Sequence, residues 1–132
     1  MILLDTHAAI WFATDSNLGK ASQDMADQAL NEERLVVSAI SFWEIAMLAS
    51  KRRLMIGKSS SELRLQLLDA GVTELPLTGP IGILAAELAN FHADPADRLI
   101  MATAIVHGAA LMTADAALLR WPHPVQRIDA SQ

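Results

Sequence analysis

The 132-residue chain contains no cysteine. That excludes disulfides, thiolate metal sites and cysteine nucleophiles, and it fits a protein kept in a reducing compartment. Although 52% of the residues are hydrophobic, no run reaches the roughly 18 consecutive apolar residues of a membrane span, and Met1 opens straight into Ile-Leu-Leu-Asp without a basic leader. Both features point to a cytoplasmic protein with no membrane association. Basic charge is also scarce. At a net charge of −5 the chain is not one that coats nucleic acid through a general electrostatic field, so any phosphate contact must be local. The candidate local patch is Lys51, Arg52 and Arg53, with Lys58 and Arg64 nearby, although a solvated helix end is the simpler reading of these residues.

Several motifs are missing as well. There is no GxSxG elbow, no GxxxxGK[ST] loop and no GxGxxG turn, so acyl transfer, P-loop chemistry and a dinucleotide fold have no signature here. His7, His92, His107 and His123 form no i,i+3 or i,i+4 pair, which argues against a histidine-built zinc site. Low-complexity segments, solenoid repeats and long linkers are absent, and 132 residues suit one core, so residues 1–132 are expected to form a single domain.

What the chain does have is alternation. Short apolar runs at Ile2 to Leu4, Leu35 to Val37, Val72 to Leu77, Ala109 to Met112 and Val125 to Ile128 read as strands. Between them Ala8 to Ala13, Ala21 to Glu33, Ser41 to about Lys51, Ser59 to Ala70, Pro80 to Ala89, Pro95 to His107 and Asp115 to Leu119 read as helices. Strand and helix in turn imply right-handed crossovers, hence a three-layer α/β/α sandwich around a central parallel sheet. Strands that are apolar throughout fit that sheet, because its central members are buried on both faces. Ligands in such folds collect beyond the carboxyl ends of the strands.

That edge is where the acids fall. Asp5 follows the first strand, Glu44 opens the helix after the second, Asp115 follows the fourth, and Asp97 lies in the first turn of the helix before the fourth. Asp97 reaches the same edge only if the loop from His92 to Pro95 crosses to it. Each acid also has a helix-start role. Ser41-x-x-Glu44 has the form of a capping box, Asp94-Pro95-x-Asp97 places a cap, a first-turn proline and a favoured anion in order, and Asp5 and Asp115 can start helices. Taken together the acids ask for more, since serine, threonine or asparagine caps as well without charge. Four clustered anions persist only with a bound cation or with raised pKa values. Oxygen donors alone select a hard ion, Mg²⁺ or Mn²⁺.

Leu4-Asp5-Thr6, Ser41-x-x-Glu44, His92-x-Asp94-Pro95-x-Asp97-Arg98 and Leu111-x-Thr113-x-Asp115, in this order and spacing, resemble PIN-domain ribonucleases, specifically the VapC-like toxins of bacterial type II toxin–antitoxin pairs. The resemblance spans residues 3 to 115, and its most discriminating part is the DPxDR run before an apolar helix. It implies a Mg²⁺- or Mn²⁺-dependent endoribonuclease with Asp5, Glu44, Asp97 and Asp115 as catalytic and metal-binding acids. Thr6, Ser41, Asp94 and Thr113 are then supporting residues, with Thr113 orienting a water or a carboxylate, and Arg98 is expected in a salt bridge within the acidic edge. Lys51, Arg52 and Arg53 assist RNA from the flank. A VapB-like antitoxin, an RNA substrate and a homodimeric state follow from the same resemblance. Trp11, Phe12, Phe42, Trp43, Met47 and Leu48 are apolar residues for either the core or such an interface.

Two other readings start from the same acids. A receiver-type phosphotransfer domain wants a lysine after the last strand, where Pro-Val-Gln-Arg stands, and a dehalogenase-like phosphatase wants an aspartate where His7 stands. A non-catalytic α/β binding or regulatory domain remains if the acids are only helix caps.

Overall fold

The computed structural model describes residues 1–54 and 56–132 of the chain. Five strands, β1 (Ile2–Leu4), β2 (Leu35–Ser38), β3 (Thr73–Leu75), β4 (Ala110–Thr113) and β5 (Arg127–Asp129), pair in the order β3-β2-β1-β4-β5, and every pairing is parallel. The helices are α1 (Thr6–Thr14), α2 (Lys20–Asn31), α3 (Ala39–Ser50), α4 (Ser60–Ala70), α5 (Gly79–Glu87), α6 (Pro95–His107) and α7 (Ala116–Arg120).

Alternating side chains send the two faces of the sheet into two cores. Ile2, Leu4, Leu35, Val37 and Met112 pack with Ala8 and Ala9 of α1, Ala26 and Ala29 of α2, and Leu67 of α4. Leu3, Val36 and Leu111 face the other way, against Ile100, Met101 and Ala104 of α6, Leu118 of α7 and Trp121. The expected α/β/α sandwich is therefore the observed one, and the central strands are apolar throughout because both faces are covered. A smaller cluster of Ile10, Ile45 and Leu63 ties α1, α3 and α4 together.

The strand order fixes where a site can form. From β1 the chain builds outward through β2 to β3, then returns to the other side of β1 for β4 and β5. The reversal leaves a crevice beyond the carboxyl ends of β1 and β4, the topological switch point of an open α/β sheet. Register holds Leu4 beside Met112, and the Asp5 N–H donates to the Met112 carbonyl at 3.0 Å, so the residues that follow the two strands emerge side by side.

One glycine is needed for a close approach. Gly19 precedes α2 and brings no side-chain cap; instead the Gln132 carbonyl accepts from the Ala21 N–H at 3.0 Å, and Gly19 N–H donates to Ala130 at 2.9 Å. A Cβ at position 19 would lie 2.0 Å from the Gln132 carbonyl carbon. Gly19→Ala is thus expected to push the 130–132 segment off the start of α2 and cost about 1–3 kcal/mol, measured as an earlier thermal transition.

Candidate metal centre

Helix starts at the switch point place the acids. Asp5 ends β1 in an extended conformation and caps α1, its Oδ1 accepting from the Ala8 N–H at 2.9 Å. Its other oxygen accepts from the Thr113 hydroxyl of β4, and that hydroxyl in turn accepts from the Asp115 N–H at 3.0 Å. Thr113 thereby fastens the two strand-end acids to each other. Asp115 caps α7 through Oδ1, which accepts from Ala117 N–H at 2.8 Å and Leu118 N–H at 3.2 Å. Asp94 caps α6 by accepting from the Asp97 N–H at 3.0 Å, with Pro95 in the first helical position. Three of the acidic corners therefore do the helix-start work their sequence context suggested.

Glu44 does not. Strand β2 runs on to Ser38, whose hydroxyl accepts from Ile40 N–H at 3.2 Å and caps α3 three residues earlier than the Ser41-x-x-Glu44 pattern implied. The capping box is not formed, because the chain already holds a cap when it reaches Ser41. Ser41 is instead a buried residue inside the helix, with its hydroxyl 3.1 Å from that of Thr6, and Thr6 donates to Glu44 Oε1. Glu44 is thus turned toward α1 by a side-chain chain of hydroxyls, with no helix-end role.

The loop before α6 crosses as Asp97 requires. Asp5, Glu44, Asp94, Asp97 and Asp115 line one cavity of about 370 Å³ together with Thr6, His7, Trp11 and Ala114. Carboxylate oxygens of Glu44, Asp94 and Asp97 lie within 4.8 Å of one another. Asp94, expected only to support the site, belongs to that tightest group, while Asp5 and Asp115 complete the lining. His92 Nε2 stands 3.3 Å from Asp97 Oδ2.

The electrostatics follow from this crowding. Burial, and then the negative charges of Asp94, Glu44, Asp115 and Asp5, push the Asp97 carboxyl up to about 7. Burial also raises Asp5, against the opposing hydrogen bonds from Thr113 and Ala8. Both shifts mark a place crowded with negative charge that a cation would relieve, and the all-oxygen donor set suits Mg²⁺ or Mn²⁺. The residues present fit such an ion.

Two other expectations change. Among the described residues Arg98 makes no salt bridge at the acidic edge; its guanidinium donates to the carbonyls of Ala85 at 2.8 Å, Leu88 at 3.2 Å and Phe91 at 3.2 Å. Helix α5 stops at Glu87 and leaves open carbonyls there, which a planar five-donor fork can reach. Lys51, Arg52 and Arg53 are exposed at the far end of α3, seven residues or about 10 Å along the axis from Glu44, and none of them lines the cavity. The unassigned lining residues are His7, Trp11 and Ala114, and the signal for the two rings was the i,i+4 spacing that puts both on one face of the helix Asp5 starts. Of the apolar residues weighed for an interface, Trp11, Phe12 and Phe42 pack against the core, whereas Trp43 is 56% exposed.

Comparison with known proteins agrees with this architecture. The PIN-domain family model matches residues 2–123. Ribonuclease VapC22 of Mycobacterium tuberculosis is 37% identical over 125 residues, 93% of each chain. Among solved structures, VapBC2 from Rickettsia felis bound to a DNA fragment from its promoter superposes with a TM-score of 0.68 at 18% identity, over 97% of this chain and 98% of that one. A toxin–antitoxin complex from Klebsiella pneumoniae gives 0.59 at 21% identity, over 97% and 100%. At those identities the two structures speak for the fold alone.

Proposed function

This chain belongs to the PIN-domain family, and on that premise we propose that it is a Mg²⁺- or Mn²⁺-dependent endoribonuclease, the toxin of a toxin–antitoxin pair. The observation that carries the reading is Asp97: it caps nothing, it lies among four other carboxyls, and it holds its proton to about pH 7 where no cation balances them. The cap-only alternative draws on Asp5, Asp94 and Asp115, which do cap helices, and on Asp97 as a first-turn anion, but it leaves Glu44 without a helix-start role and gives no reason for Glu44 and Asp97 to converge.

A bound ion supplies Lewis acidity toward a phosphate oxygen and a water acidic enough to attack phosphorus at neutral pH. The chain's own residues do the rest. Glu44, Asp94 and Asp97, whose oxygens converge, would hold the ion together with the strand-end acids Asp5 and Asp115. Thr113 and Ala8 fix the Asp5 carboxylate in one orientation, Thr6 does the same for Glu44 with Ser41 behind it, and the α7 N–H groups fix Asp115. Such outer hydrogen bonds set how well ligands are aimed. A carboxylate of the group takes the proton of the attacking water.

Residues 1–132 act as one nuclease domain in the cytoplasm; among the described residues no helix is long and apolar enough to cross a membrane. The partners are an RNA substrate, a VapB-like antitoxin and a second copy of the chain, with Lys51, Arg52 and Arg53 giving weak RNA contacts on the flank.

Purified protein with Mg²⁺ or Mn²⁺ should cut RNA and stop on chelation, and cleavage that survives EDTA would rule the mechanism out. Glu44→Gln sharpens the test, because glutamine still accepts from Thr6 while losing the charge. We expect an unchanged far-UV spectrum and a melting temperature within about 3 °C of the parent, with cleavage down by about 100-fold or more. Normal cleavage by this variant would remove Glu44 from the site.

A further inference from the structure

We infer that Trp11 and His7 form a subsite for an unpaired RNA base adjoining the phosphate held at the acids, an assignment that rests on the ribonuclease reading above. Both residues stand on α1, the helix that Asp5 starts. At about 1.5 Å of rise per residue, His7 and Trp11 lie roughly 3 and 9 Å beyond Asp5 along the axis, and their i,i+4 spacing keeps them on one face. Their rings are 6.3 Å apart and inclined at 59°. Both line the same cavity as the acids. The two rings therefore flank the phosphate position at a distance that a neighbouring base can reach.

Trp11 is held as a platform. It packs against both the core cluster beneath the sheet and the one that joins α1, α3 and α4, yet stays partly open on the cavity side, while His7 is exposed at the rim. A ring already clamped loses little side-chain freedom when a base stacks on it. Charge makes such a contact necessary. Among the described residues no lysine or arginine lines the cavity, and the protein carries −5 overall, so fields from the chain itself oppose the RNA backbone. Stacking on an aromatic face is uncharged and contributes about 1–3 kcal/mol per base. It also selects: a base within a duplex has both faces covered, whereas one in a loop or single strand can turn onto the ring.

Fluorescence tests the assignment separately from cleavage. In a Trp43→Phe background the exposed Trp43 is gone, and Trp121, only 7% exposed, is out of reach of a quencher. With Mg²⁺ present, hexameric oligoadenylate mixed by stopped flow should quench the remaining emission saturably before turnover, while a blunt duplex or an abasic ribose phosphate of equal length should not. In the otherwise unaltered chain, Trp11→Leu should raise KM for the oligoadenylate about tenfold, and Trp11→Phe should restore most of the loss. If the leucine variant does not fold, His7→Ala on the exposed rim should still raise KM several-fold. Equal quenching by the abasic or duplex probe overturns the subsite, as does quenching by a cationic peptide alone, which would give the ring to a protein segment. Cleavage with no Trp11 response removes the subsite and keeps the nuclease; a response without cleavage does the reverse.

Discussion

Asp97→Asn should abolish RNA cleavage and, in metal-free buffer at pH 8, make the protein more stable than its parent. The two effects have one cause. The Asp97 carboxyl, ordinarily at 3.8, is raised to about 7 by burial and by four neighbouring acids. The folded state therefore binds the Asp97 proton more tightly than the unfolded chain does. Below about pH 4 both states are protonated and the site imposes no penalty; from there to about pH 7 the unfolded chain releases the proton first, and stability falls as pH rises. Above pH 7 the penalty is complete. Its ceiling is about 4 kcal/mol, and since 19% of the side chain is exposed, about 2 kcal/mol is the better expectation after solvent screening. Asparagine cannot ionise, so its melting temperature at pH 8 should exceed that of the parent by roughly 8 °C and vary less between pH 5 and 8. Adding Mg²⁺ or Mn²⁺ should stabilise the parent and do much less for the variant. Cleavage should fall by more than about 100-fold, because even groups that merely orient a ligand are worth 10- to 100-fold. A variant less stable than its parent at pH 8 would mean that Asp97 is held by a partner rather than strained by like charges.

Much of this was legible because the sheet writes itself plainly. Ile2-Leu3-Leu4 and Leu35-Val36-Val37 are apolar on both faces, and only a strand covered on both sides needs that. Once strands alternate with helices, the switch point follows from topology, and Asp5 and Asp115 fall beside it. Local pattern failed where two signals compete over a few residues. The apolar run ends at Val37 and the capping pattern starts at Ser41, which passes over Ser38, the residue that both ends β2 and caps α3. The place where α5 stops was equally hidden: Leu88 and Ala89 suit a helix, but the chain turns at Leu88, and this is what gives Arg98 carbonyls to bind in place of carboxylates. Asp94 was legible as a cap, yet its approach to Glu44 depends on how α3 and α6 cross, which no spacing encodes.

The turn at Leu88 gives Arg98 the second large effect. Its guanidinium joins three carbonyls from the end of α5 and the segment after it to the first turn of α6, and it stands 5.7 Å from the centre of the Phe91 ring. That segment carries Asp94 into the acid cavity and His92 to 3.3 Å from Asp97, so Arg98 positions both while its own donors go to backbone carbonyls. Hydrogen bonds from a charged donor contribute about 1.5–3 kcal/mol each, and their sum is reduced where water can replace them. Arg98→Ala should therefore cost about 3–4 kcal/mol, lowering the melting temperature by roughly 12 °C. Arg98→Lys retains the charge but has no planar fork, and one ammonium cannot span three carbonyls, so it should recover less than half of that loss. Stability alone would make Arg98 a strut. A positioning role predicts more: in the lysine variant, at a temperature where it is fully folded, Mn²⁺ affinity measured by calorimetry should fall about tenfold, because Asp94 and Asp97 no longer share a fixed first turn. Lysine with parental Mn²⁺ affinity would confine Arg98 to holding α5 against α6.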